Sequence, residues 1–288
     1  VMARDGSGDG VPYDRGAATL RSSAHRAVYS KSRKGDPGPV APLGPLPDGL
    51  RAIEVFDLAA DHDLRPHVVR LLRRAGADIG SWPSSSADLR LEDFVVPAAS
   101  LRDAKAGTCV DAQANLATLV ASDAPFLAAF DRVVDEAVIP RLRRRLLDAG
   151  GGDAPRVFHV QRPPTLRLQP GPSSRHVRAH RDAEYGHQDG EINFWIPLTD
   201  PDLTGVTLEV ETAETTATGP GSFEPAEGAR PGRAVAFHGT SRRHRVPANA
   251  SARTRASLDF RIGVEGHFDP GWTMRGTKAD HGRREVKM

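Results

Sequence analysis

Glu191-Ile192-Asn193-Phe194-Trp195-Ile196-Pro197-Leu198 is the stretch that decides the fold. In an extended chain successive side chains point to opposite faces. Ile192, Phe194, Ile196 and Leu198 therefore make one apolar face, and Asn193 and Trp195 on the other face are expected to line a lumen. The runs Thr165 to Gln169, Val206 to Glu211, Arg233 to His238 and Thr254 to Val264 have the same texture. They are short and β-rich, and Gly, Pro, Asn and Asp separate them, as in an all-β sandwich or barrel. Several such strands in succession argue against a parallel α/β sheet. By parity Val206, Leu208 and Val210 pack into the shell while Thr207, Glu209 and Glu211 face the other way. Glu209 is then either a contact for a hydroxylated or amino-bearing substrate or a solvated strand residue.

Upstream of Gly150-Gly151-Gly152 the pattern is helical. In Leu64 to Arg74 apolar positions recur every three or four residues, and Gly76 is a plausible stop. Ser122-Asp123-Ala124-Pro125 announces a second helix, with a capping residue next to an N-terminal proline. That helix runs through Phe126, Phe130, Val133, Val138, Leu142 and Leu146 to about Gly150 and is expected to kink or split at Pro140. Arg141, Arg143, Arg144 and Arg145 fall at its C-terminal end, where arginine complements the helix dipole. The expected organisation is a disordered tail over 1–48, a helical region over 49–152, a β core over 153–265 and a basic tail over 266–288. A loop of undecided role lies at 212–232.

The composition narrows the class further. Basic and acidic residues number 39 and 37, a formal charge of +2, so nothing demands a nucleic-acid partner. No run of about 18 apolar residues is present, so no membrane helix is expected. Cys109 is the single cysteine. It excludes an intrachain disulfide framework and any multi-cysteine cluster, and it suits a reducing, cytoplasmic setting. A transit peptide is suggested by the Arg, Lys and Ser of the N-terminal stretch, and Asp5, Asp9 and Asp14 oppose it.

The chemistry is concentrated in His180-Arg181-Asp182. In extended chain this spacing places an imidazole and a carboxylate on one face. Joined by a second histidine from a distant strand, they form a facial triad that leaves positions open on iron(II). By itself the pair is a weak signal. Downstream, Phe237 to Ser251 contains His238 and His244, and Arg253-Thr254-Arg255-Ala256-Ser257 follows. This region resembles the iron(II)/2-oxoglutarate dioxygenases, especially their phytanoyl-CoA hydroxylase-like branch, in which an arginine lies eleven positions after the distal histidine. His244 and Arg255 have that spacing, and His238 is the rival.

The resemblance covers about residues 155 to 264. It implies a double-stranded β-helix (a jelly-roll, cupin-like core) packed by N-terminal helices. It further implies His180, Asp182 and His244 as ligands of Fe(II), Arg255 with Ser257 on the far carboxylate of 2-oxoglutarate, and O2 as the second cosubstrate. Guanidinium suits a bidentate carboxylate and lysine does not; Arg253, of like parity, is the fallback. Arg261 is expected to pair with Asp259. The family's halogenating members lack the carboxylate held here by Asp182, so halogenation is not expected.

Asp182 to Thr199 is similar to oxygenases of aminoglycoside and other carbohydrate biosynthesis clusters, including a streptomycin-cluster type. That implies a small polar substrate, with Asn193 at the cofactor and Trp195, Glu209, Tyr185 and His187 as candidate substrate contacts. The competing readings are a cupin-like sugar isomerase or binding protein, a non-catalytic scaffold of the same fold, and a zinc hydrolase, which lacks any H-E-x-x-H signature.

Overall fold

The computed structural model describes residues 43–74, 90–93, 118–150, 155–172, 174, 176–212, 222–271 and 282–288. Cys109, Gly76 and residues 213–221 of the undecided loop lie outside them, as do residues 1–42 of the expected tail.

Strands β1 (Glu54–Asp57), β2 (Val157–Gln161), β3 (Thr165–Gln169), β4 (Val177–His180), β5 (Glu191–Pro197), β6 (Glu209–Glu211), β7 (Phe223–Pro225), β8 (Arg233–Phe237), β9 (His244–Val246), β10 (Arg255–Val264) and β11 (Arg283–Lys287) form two sheets. The larger has seven strands in the order β1-β8-β5-β10-β2-β11, with β3 also on β10. The smaller runs β4-β9-β6-β7. Every pairing is antiparallel. Short strands split by turn residues can pair this way without crossover helices.

β5 behaves as its alternation demands. Ile192, Phe194 and Ile196, with Leu198 just beyond, enter the main core, which also takes Phe126, Phe130, Val138 and Leu142 from the helices. Phe130 meets Phe260 edge-on at 4.9 Å, and Phe194 stacks on Phe260 at 5.4 Å. Trp195 faces the opposite way, into a second apolar cluster shared by both sheets through Val235, Phe237, Leu208, Val210 and Val246. The large sheet thus has helices on one face and the smaller sheet's side chains on the other.

The helices are α1 (Arg65–Arg74), α2 (Ala124–Val133), α3 (Ile139–Asp148) and the single-turn α4 (Pro201–Thr204), and a π turn over Val134–Val138 joins α2 and α3. The widened turn falls just before Pro140, where a proline removes a donor and crowds the preceding carbonyl. Asp123 caps α2 by accepting the Phe126 N–H at 2.9 Å, and its buried carboxylate also receives Arg70 and Arg74 of α1. Asp123→Ala is expected to lower the unfolding free energy by about 1–3 kcal/mol, the sum of a lost cap and two ion pairs whose guanidinium ends stay exposed to water. Urea unfolding measures this directly. The arginine run is spent internally: Arg141 and Arg145 meet Glu54, and Arg144 meets Asp148.

Three segments depart from the expected organisation. β11 lies in the stretch expected as a basic tail, yet it pairs with β2 along its whole length, from Arg283↔Gln161 to Lys287↔Val157. Val286 packs on the core and Arg284 reaches Asp135, so the alternation of this short charged edge strand is what docks it. β1 lies in the region expected to be helical and closes the other edge of the same sheet on β8. Leu46, expected in the N-terminal tail, is buried, and the Gly44 N–H donates to the Gly266 carbonyl.

Candidate metal centre

His180 is the last residue of β4, and Asp182 opens a single 3-10 turn, Asp182–Tyr185. His244 opens β9, directly opposite His180 in the antiparallel register. A register shift between Val177 and His180 lets both line the same cavity. The Asp182 N–H donates to the Gly239 carbonyl at 2.9 Å, which fixes the turn against the strand connection before His244.

The three side chains converge. Asp182 Oδ1 lies 3.4 Å from His180 Nε2 and 3.5 Å from His244 Nε2, and it is buried without a hydrogen-bond partner. His180 Nδ1 meets the Arg178 carbonyl at 2.8 Å, and His244 Nδ1 meets the Arg242 carbonyl at 3.2 Å. A carbonyl can only accept, so each Nδ1 carries the proton and each Nε2 keeps its lone pair for a metal. This is a ready ligand set. The other oxygen of Asp182 is fully engaged: Oδ2 accepts from Asn193 Nδ2 at 2.6 Å and from Arg261 Nε at 2.8 Å.

These contacts set the charges. Burial alone would raise the Asp182 pKa, but Arg261 and the two imidazoles hold it well below the usual carboxylate range. For His180, burial acts downward and is outweighed by Asp182 and the Arg178 carbonyl, which raise its pKa. His244 is lowered, mainly by burial. A second group, Asp61, His62 and Glu136, has suitable atoms among the described residues. There His62 Nε2 is 3.0 Å from Glu136, Arg132 faces Asp61, and both carboxylates are largely exposed. It reads as a tie between a loop and the π turn.

Beside the triad a cavity lies between the sheets, its empty space ≈ 440 Å³ with the open mouth included, walled by Val177, Leu208, Phe237 and Val246. Arg167, Arg255 and Arg261 also line it. Arg167 forms a two-pronged pair with Asp259 at 2.8 and 3.0 Å, and Arg261 is taken by Asp182. Among the described residues Arg255 is therefore the cavity guanidinium left without a carboxylate. Its Nε and Nη2 are buried and unpartnered, its Cζ lies 5.4 Å from the Trp195 ring centroid, and burial pushes its pKa down to about 10. The Ser257 hydroxyl, two residues along the same strand face, is likewise buried and unpartnered.

The remaining expected residues fall as follows. Asn193 and Trp195 line the cavity, and Trp195 Nε1 is an unpartnered buried donor. Tyr185 is partly exposed, stands edge-on to His180 at 5.1 Å and accepts from Arg178. His187 is turned to Glu191 at 2.8 Å and does not line the cavity. The Glu209 carboxylate holds Arg245 at 2.6 Å, and Leu208 beside it is the residue that lines the cavity. The parity of that segment is reversed because its apolar residues join the cluster between the sheets. Arg261 is likewise reassigned from Asp259 to Asp182. His238, the rival ligand, meets Ser241, Thr240 and the Asp189 carbonyl instead. Arg253 is held by Asp93.

No family model matches the sequence. Among solved chains, EctD from S. alaskensis, solved with 2-oxoglutarate and 5-hydroxyectoine, is 16% identical with a TM-score of 0.37, covering 82% of this chain and 80% of EctD. SnoN, a non-haem α-ketoglutarate-dependent epimerase from nogalamycin biosynthesis, is 16% identical with a TM-score of 0.37, covering 56% of this chain and 71% of SnoN. In sequence the chain is similar to the streptomycin biosynthesis protein StrG of Streptomyces griseus, 29% identical over 133 residues. The match takes in 46% of this chain and 60% of the length of StrG. The resemblance to a streptomycin-cluster protein expected from the sequence is thus found.

Proposed function

We propose that this chain is an iron(II)- and 2-oxoglutarate-dependent oxygenase that hydroxylates an unactivated C–H bond of a small polar metabolite, a sugar or aminocyclitol. The observation that carries the reading is two complementary sets of unpartnered polar groups at one cavity. At one end stand two Nε2 lone pairs and a buried carboxylate oxygen with no partner; in the wall stands Arg255, a buried guanidinium with no carboxylate. A two-histidine, one-carboxylate set fits iron(II), and the orphaned guanidinium fits the far carboxylate of a 2-oxo diacid. A cupin-type isomerase or binding protein would not need Arg255.

When bound, iron(II) with 2-oxoglutarate and O2 supplies the oxidising power for C–H cleavage, with succinate and CO2 as coproducts. The residues do the rest. His180, Asp182 and His244 would hold the metal, Arg255 with Ser257 would fix the cosubstrate, and Trp195 Nε1 would donate to an oxygen of the occupant. Val177, Leu208, Phe237 and Val246 keep the cavity wall apolar and exclude water from the reacting bond. The fold reading that accompanies this is a double-stranded β-helix core over 153–265 supported by the 49–152 region. The polar substrate is supported by the similarity to StrG, and no described helix is long and apolar enough to cross a membrane. Adding 2-oxoglutarate anaerobically to the iron-reconstituted chain is expected to produce a weak visible charge-transfer band, and oxygen should then yield succinate. Absence of both overturns the reading.

A further inference from the structure

Asp182 offers a metal one oxygen, and the surroundings of its other oxygen are unusually complete. Oδ2 lies between Asn193 Nδ2 and Arg261 Nε, with the side chain only 1% exposed. Asn193 reaches it from β5 and Arg261 from β10, which are paired with these two residues directly opposite each other. Arg261 is itself steadied by Gln161 Oε1 at 3.3 Å. The Asn193 amide lies directly against the bare backbone of Gly239. A Cβ added at Gly239 would stand 2.6 Å from both Asn193 Nδ2 and Oδ1, and 2.7 Å from Cγ. Contacts that close force a displacement. Gly239 also accepts the Asp182 N–H, so one residue sets both the backbone of the carboxylate and the slot of the amide.

We infer that Gly239, Asn193 and Arg261 are positioning residues that clamp Asp182 to one-oxygen coordination, keeping Oδ2 off the metal. This rests on the metal reading above and deepens it. A carboxylate gripping through both oxygens would fill a position that the cosubstrates need, since a chelating 2-oxo acid takes two sites and dioxygen a third. The donor side chains are rigid for a physical reason: Asn193 is wedged by the bare backbone of Gly239, and Arg261 is ion-paired in a buried site. Asn193 is then no direct cofactor contact, as the sequence suggested, but acts through Asp182.

The test is a titration of the apo chain with Co(II), read by the d–d absorption of the bound ion, on the wild type, Asn193→Ala, Gly239→Ala and the double variant. Removing such outer partners weakens metal binding by about 10–100-fold, so each single variant should bind Co(II) at least about 10-fold more weakly and with an altered d–d spectrum. Because the added methyl acts by displacing Asn193, Gly239→Ala should cost nothing further in the Asn193→Ala background. Asn193→Ser, whose shorter side chain withdraws the donor from Asp182 Oδ2 without adding an atom at Gly239, carries the test should Gly239→Ala not fold. Wild-type affinity and spectrum in the Asn193 variants, or fully additive losses, would overturn the clamp and leave the metal reading standing. Failure of the wild type to bind Co(II) would overturn both.

Discussion

Asp182→Ala is expected to abolish 2-oxoglutarate-dependent oxygen uptake in the iron-loaded chain and to destabilise the apo chain as well. The first effect follows from Oδ1, among the described residues the only acidic ligand atom that meets the two imidazole Nε2 atoms. The second follows from Oδ2. Arg261 is buried against it, and removing one partner of a buried pair strands the other at a cost of about 3–5 kcal/mol. The two effects separate in the double variant Asp182→Ala/Arg261→Met. Replacing both charges by apolar groups is often neutral or stabilising, so stability should return towards wild type while turnover stays absent. Oxygen consumption and chemical denaturation of both variants report this, and retained turnover in Asp182→Ala would sink the assignment.

The same pair governs behaviour in acid. The folded pKa of Asp182 is held well below its ordinary 3.8, so the unfolded chain binds this proton more readily. The contribution is fully present at neutral pH, above the unfolded value, and is lost as pH falls below 3.8 towards the folded value. The apo wild type should therefore lose more stability on acidification than the Asp182→Ala/Arg261→Met chain. Equal acid profiles would mean that the pair is not formed.

Much of this centre was legible in the sequence because it rests on short-range regularities. The two-residue spacing of His180 and Asp182 survives the passage from strand to 3-10 turn, and alternation along β5 sent Asn193 and Trp195 into the cavity. The distance from His244 to Arg255 reflects a loop followed by a long strand, and it separated His244 from His238. What the sequence hid is where local parity yields to neighbours. Val206, Leu208 and Val210 looked like shell residues because apolar faces usually turn to the main core, but a second sheet supplies another apolar face for them. Arg261 has Asp259 two positions away on its own strand face, yet the deeper and less solvated Asp182 claims it, while Arg167 from β3 takes Asp259. Cross-strand partners of that kind are set by register, which no single segment encodes. β11 escaped notice for a similar reason: its charged alternation reads as a tail until β2 offers an unpaired edge.

Arg255→Met should do two opposite things, making the apo chain more stable and nearly unable to retain 2-oxoglutarate. The guanidinium is buried with two nitrogens unpartnered and its pKa pushed down to about 10, so the folded state carries a desolvation penalty on the order of 3 kcal/mol at neutral pH. Because the unfolded chain holds this proton more tightly, the penalty is constant below about pH 10 and is relieved as pH rises above it. Methionine fills much of the same volume without the charge, so the apo midpoint in urea should rise. Binding reverses the sign. The cosubstrate carboxylate is what completes Arg255, and losing one side of a buried charge pair costs about 2–5 kcal/mol, which is about 30-fold or more in affinity. Arg255→Lys should recover little of it, since an ammonium cannot present two parallel donors. Arg253→Ala should leave 2-oxoglutarate affinity unchanged, because Arg253 is engaged with Asp93. Co(II) affinity of Arg255→Met should stay close to wild type, as the residue touches no ligand atom. A stabilised apo chain that still binds 2-oxoglutarate normally would show that Arg255 is a strained bystander, and a loss confined to Arg253→Ala would move the anion site two positions along the chain.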